Sequence, residues 1–153
     1  MRHAEAKVVN ADGVIKEFEQ VWQAEAAARG IPSAQAIDPT AFARLMPHMM
    51  LLEVVSGEGE QRFRTRLVGA EHREVARGLH AGDILDEIDA QHAERARVAA
   101  MTGRPVFWRA ASDERVSIGD FPFAADGRTV DRVVSIVHGV KPGKAFIRQV
   151  FRP

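Results

Sequence analysis

The sequence predicts an α+β fold: a five-stranded antiparallel sheet with helices over one face and an N-terminal flanking helix. Three observations carry the prediction. Strand patterns cluster at two places, 50–55 with 62–68 and then 106–111, 116–123 and 130–140. Helical patterns fill the interval between the two groups. A separate amphipathic stripe precedes everything. Strands grouped apart from helices indicate α+β rather than alternating α/β.

Residues 1–13 carry no strong pattern and are expected to be loose. From Val14, apolar residues fall at Val14, Ile15, Phe18, Val21, Trp22 and Ala26. This is one stripe at helical period, stopped by Arg29-Gly30. It predicts a flanking helix over 14–30, with 31–153 as a single domain. Asp38-Pro39 reads as an N-cap followed by proline at the first helical position, and Pro47 closes that helix. The strand 50–55 is apolar except for Glu53. Across 62–68 the residues alternate, which predicts Phe63, Thr65 and Leu67 on one face and Arg62, Arg64 and Arg66 on the other. The short Gly-rich and acidic connection at 56–60 makes the two strands a hairpin. Short helices are expected over 71–77 and 79–88. A longer alanine-rich helix, capped by Asp89, is expected through Met101. Alternation in the last strands pairs Phe121 with Phe123 and Val134 with Ile136. Of Phe107 and Trp108 only one can face inward. The segment 146–151 is a candidate terminal strand.

At 153 residues, 46% apolar and 27% charged, the chain is long enough for one core without staples. Lys+Arg and Asp+Glu are both 21, so there is no basic excess of the kind nucleic-acid backbones demand. The absence of cysteine excludes disulfides, thiolate chemistry and Cys-based zinc sites. No apolar run approaches the roughly 20 residues of a membrane span, and residues 1–13 lack the apolar core of a secretory signal. The expectation is a cytoplasmic protein with neither nucleic-acid nor membrane partner.

Several phrases, in this order and spacing, resemble a PAS domain, in particular a short stand-alone bacterial sensory or regulatory branch. They are Trp22 with Arg29-Gly30 and Pro32, Asp38-Pro39 leading to Leu45-Met46-Pro47, the run from Phe63 to Gly69, and Phe121-Pro122-Phe123 before Asp126-Gly127. The resemblance covers roughly residues 20 to 140. It implies a PAS-like sheet, a signal-transduction role without catalytic output, and in many relatives a cavity for a small molecule between sheet and central helices. It also implies a homodimer supported by the N-terminal helix, and a separate signalling protein as partner. Flavin and coumaroyl PAS photoreceptors use a cysteine, which is missing here. Haem PAS domains often use a histidine on the long central helix, and His92 lies near the start of that helix.

The ligand-binding candidates are Phe63, Leu67, Met101, Phe107, Trp108, Phe121, Phe123, Val134 and Ile136, the wall of a core or cavity. His92 is a candidate haem ligand, or else an exposed residue of a helix's first turn. Arg62, Arg64 and Arg66 form a basic ladder for an anion or an acidic partner, or else a solvated strand face. Ile15, Phe18, Val21 and Trp22 are the candidate dimer interface. No catalytic residue and no metal site is expected, because the histidines show no paired spacing. The sequence names no cofactor. Two further readings stand beside the PAS one. The first is a small isomerase- or hydratase-like enzyme on an α+β cone fold, which needs an inward pair such as His92 with Asp83 or Asp86. The second is a ligand-free adaptor that uses the arginine ladder.

Overall fold

A computed structural model describes residues 13–56, 61–75, 78–110 and 113–140. Its elements are α1 (Gly13–Arg29), α2 (Pro39–Leu45), β1 (Met49–Ser56), β2 (Gln61–Val68), α3 (Ala70–Val75), α4 (Leu85–Ile88), α5 (Ala90–Thr102), β3 (Val106–Ala110), β4 (Asp113–Phe123) and β5 (Arg132–His138), with single 3-10 turns before and after α2. The five strands form one antiparallel sheet in the order β2-β1-β5-β4-β3. This is the predicted α+β architecture, a PAS-like sheet with helices over one face and an N-terminal flanking helix. The loose N-terminus and the terminal strand at 146–151 lie outside the described residues.

The sheet is buried on both faces. One face carries Met49, Phe121, Phe123, Val134 and Ile136, packed against Ile15, Phe18 and Trp22 of α1 and Leu45 of α2. The other carries Met50, Leu52, Phe63, Val68 and Val133, packed against Leu85 and the alanines of α5. This double burial is why the central strand β5 reads Val-Val-Ser-Ile-Val, without the alternation of a half-exposed strand. Burying α1 also means that Ile15, Phe18 and Trp22 are 1%, 0% and 4% exposed within a single chain. Half-buried Val21 packs against the same cluster. The stripe expected at a dimer interface is spent on the chain's own sheet. The Trp22 indole donates to the Pro122 carbonyl at 2.7 Å, so its polar edge is satisfied as well.

Register explains one departure from the expected faces. Leu51 pairs with Leu67, but Leu52 pairs with Thr65, leaving Arg66 as an extra residue in β2. A bulge of this kind inverts the alternation beyond it. Phe63 and Thr65 therefore face α5, whereas Leu67 packs on the α1 side. The choice between Phe107 and Trp108 is settled by both being used. Phe107 sits half-buried on the α1 side, edge-on to Phe121 at 5.6 Å, and Trp108 is buried with Ile118 and Val137. The candidate wall thus divides between two layers, and Met101, 75% exposed, belongs to neither.

The helix expected over 79–88 forms only at Leu85–Ile88. The residues before it clasp the outer edge of β2. Thr65 N–H donates to Asp83 O, Gly82 N–H donates to Thr65 O, and Arg64 bridges Ile84. The Thr65 hydroxyl also reaches the carbonyls of His80 and Asp83, at 2.6 and 3.0 Å. Asp86 accepts Phe63 N–H at 2.8 Å. An edge strand is thereby covered by its own chain. Elsewhere backbones crowd. A Cβ at Gly69 would lie 2.3, 2.7 and 2.8 Å from the carbonyl oxygens of Met46, Pro47 and Met49. Gly69→Ala is expected to lower stability by about 2–3 kcal/mol through overpacking against rigid backbone, read as a lower denaturant midpoint at unchanged slope.

Candidate functional site: a buried polar cluster

Between α5 and the sheet, in a layer otherwise made of alanine, aliphatic residues and Phe63, lies a group of polar side chains. Asp89 caps α5 by accepting His92 N–H at 3.1 Å. That starting point turns His92, Arg95, Ala96 and Ala99 toward the sheet. The alanines let the helix lie close. His92 is 1% exposed and reaches β4 and β5, where alternation aims Asp120 and Ser135 at the same layer. Its Nε2 is 3.1 Å from Asp120 Oδ1 and 3.1 Å from Ser135 Oγ. The Trp108 indole donates to Asp120 Oδ2 at 2.7 Å. The Trp108 ring also stands edge-on to His92, 4.9 Å between centroids, with the Arg95 guanidinium 4.0 Å above it. His72 of α3 completes the group. It is 0% exposed, stacks on His92 at 6.0 Å, and its Nε2 is 2.9 Å from the Ser135 carbonyl.

These contacts assign protons. A carbonyl oxygen only accepts, so His72 carries its proton on Nε2. Its Nδ1 is then a bare lone pair, buried and without a hydrogen-bond partner among the described residues. Burial first, and repulsion from His92 next, push the His72 pKa down to about 3, against the smaller opposing pull of the Ser135 carbonyl and Asp120; His48 adds slightly to the repulsion. For Asp120, burial opposes ionisation. The charge interaction with His92, and hydrogen bonds from His92, Trp108 and Ser135, outweigh it and hold the carboxyl below its usual range. An ionised carboxylate accepts only, so His92 presents an N–H to it at Nε2.

The pH consequence follows from His72. The unfolded chain takes up a proton near the ordinary histidine value, whereas the folded His72 does so only near 3. Stability from this group is complete above the unfolded value and declines as pH falls toward the folded one. The expected loss is about 2 kcal/mol between about pH 7 and about pH 5. Urea titrations across that range should show it, and His72→Gln, which keeps a donor for the Ser135 carbonyl, should flatten it.

Of the residues singled out in the sequence, His92 and Trp108 meet in this cluster. The exposed first-turn alternative for His92 is overturned by its burial. A haem does not fit here: Nε2, the atom an iron would take, faces Asp120 and Ser135, and the rings of His72 and Trp108 pack against the imidazole. Asp83 and Asp86, the partners expected for His92 in an enzyme, are instead tied to the β2 clasp, Asp86 also to Arg97. The arginine ladder is partly neutralised by two acids the sequence could not locate. Arg62 pairs with Glu87, and Arg64 and Arg66 both lie 3.8 Å from Glu53. Sequence reasoning missed Asp120, Ser135 and His72. Asp120 and Ser135 carried one readable signal: each is a lone polar residue in an apolar strand pattern. Among the described residues no cluster of His, Asp or Glu is placed to hold a metal ion, and no helix is long and apolar enough to cross a membrane.

Chemically, the cluster is not a nucleophile relay. Such a relay uses one imidazole nitrogen for the hydroxyl and the other for the carboxylate. Here Ser135 and Asp120 share Nε2. The group instead fixes the spacing and rotation of α5 over β4 and β5 through directional bonds in a low dielectric. No protein-family model, no curated protein and no solved structure matches this chain.

Proposed function

We propose that the chain is a PAS-type sensory or regulatory module without catalytic output. In this reading a small molecule, or a signalling protein at the surface, shifts the packing of α5 against the sheet, and the change passes through the sheet to α1. The observation that supports it most is the location of the buried cluster. It occupies the layer between sheet and central helix where the PAS resemblance implies a ligand cavity. An interior polar group without a hydrogen bond costs roughly 1–3 kcal/mol, and apolar residues would fill the same space without that risk. Groups that hydrogen-bond one another in the apo state can exchange those bonds for bonds to a polar ligand. The bare His72 Nδ1 is an acceptor ready for a ligand donor. The enzyme reading fares worse, because the inward His92–Asp120 pair is sealed from solvent and lacks relay geometry. The adaptor reading loses force because Arg62 is paired with Glu87 and Arg64 and Arg66 share Glu53.

The test is an absorption spectrum with a native mass spectrum of the protein as purified from cells. A chromophore band, or a stoichiometric mass excess that disappears in His72→Phe, supports a ligand in the cluster. An apo mass, with no thermal shift across a panel of small polar molecules, would overturn the ligand part and leave partner contact as the mode of action.

A further inference from the structure

A second site lies away from the cluster, where the C-terminal end of α1 meets the turn between α5 and β3. There an open groove of about 600 Å³ is lined by Trp22 and Ala26 of α1, Ile31 beyond it, and Phe107 of β3, with Gln23 and Arg104 also in its lining. The volume falls in the usual range for small-molecule sites, roughly 300–1,000 Å³. Its position follows from the packing already described. Gly103 ends α5 in the left-handed conformation (φ 68°), turning the chain sharply into β3. A Cβ at Gly103 would lie 2.9 Å from the Ile31 side chain, so the turn presses against the segment leaving α1. Ala26 is small where the stripe of α1 runs out, and the groove lies beside it.

The charge in this groove is one-sided. Arg104 is the single ionisable group among its lining residues. It is exposed, and its guanidinium has no ion-pair or hydrogen-bond partner among the described residues. The Thr102 hydroxyl is already engaged, donating to Val98 O and accepting Arg104 N–H. Gln23 adds an amide able to donate. The half-buried Phe107 ring and the one exposed edge of Trp22, with a planar guanidinium unpaired among the described residues, match a flat, apolar molecule that carries one carboxylate. An acyl chain would call for a longer, enclosed channel, and this groove is open.

We propose that the groove binds a small aromatic carboxylate, its ring against Phe107 and the edge of Trp22 and its carboxylate on Arg104. The site is independent of the interior cluster, since Phe107 and Trp108 point to opposite faces of the sheet. Occupancy would join the end of α1 to the α5–β3 turn.

The test is a titration of the isotope-labelled full chain with naphthoate, followed by amide NMR, with naphthylmethanol and decanoate as comparators. The expected result is saturable shifts at the Trp22 indole N–H and the Gly103 and Phe107 amides, with the Trp108 indole N–H unmoved. Arg104→Ala should weaken naphthoate about tenfold, the loss of one charge-assisted hydrogen bond. Ala26→Phe should block it while the rest of the spectrum stays folded. No saturation, shifts centred on Trp108, equal binding of naphthylmethanol or decanoate, or unchanged affinity in Arg104→Ala would each overturn the proposal. A mass excess in the native protein that survives Ala26→Phe would belong to the interior cluster, so the two readings fail separately.

Discussion

Asp120→Ala is expected to lower stability by about 3–5 kcal/mol, the range for removing one partner of a buried charged pair. The substitution strips the Trp108 indole and His92 of their acceptor in a layer buried from solvent. At roughly 2–4 °C per kcal/mol for a chain of this size, the melting temperature should fall by about 6–20 °C. A loss below about 1 kcal/mol would mean that the carboxylate is solvated and the cluster open. The double variant with His92→Ala should cost less than the two singles together, because each single leaves the other's polar group stranded. Ser135→Ala removes a hydroxyl at the margin of the same network, and should cost about 1 kcal/mol.

Phe18→Ala is expected to cost a comparable amount, about 3–5 kcal/mol, for a different reason. Phe18 is 0% exposed and sits among Phe42, Phe121 and Phe123, with ring centroids 5.9, 4.9 and 6.1 Å away. Its removal opens a cavity between α1 and the sheet. Denaturant unfolding at two protein concentrations checks both the size and the origin of the effect. A concentration-independent loss is the expected result. A loss that grows on dilution would place Phe18 between copies of the chain instead of within one.

The sheet was readable in the sequence because its signals are local. Alternation, turn residues and the Asp38 and Asp89 caps each act within a few positions, and every predicted strand among the described residues forms. What was not readable depends on register. The extra residue at Arg66 sends Leu67 to the opposite face from Phe63, and no local signal marks which strand will bulge. The residues 79–84 have apolar spacing that suits a helix, but their backbone groups find better partners on the β2 edge. The site was legible only in part. His92 drew attention by its place on the central helix, yet its meaning depends on Asp120 and Ser135, 28 and 43 positions further on. Those residues look like interruptions of apolar strands until β4 and β5 are paired. The α1 stripe, expected at a dimer interface, meets the chain's own sheet instead; which surface an apolar stripe covers is a tertiary question.

The clasp over β2 has a consequence for assembly. A fibre built by adding strands must grow through two free edges, one on each side of every sheet. In this sheet the middle of the β2 edge is occupied by the chain's own residues 82–84, which leaves, among the described residues, the β3 side as the remaining one. Edge-to-edge contact between two copies can then join β3 to β3, and such a pair terminates itself. The loop that looked like an unfinished helix acts as a stopper against polymerisation, even in a molecule whose strands are as apolar as β5.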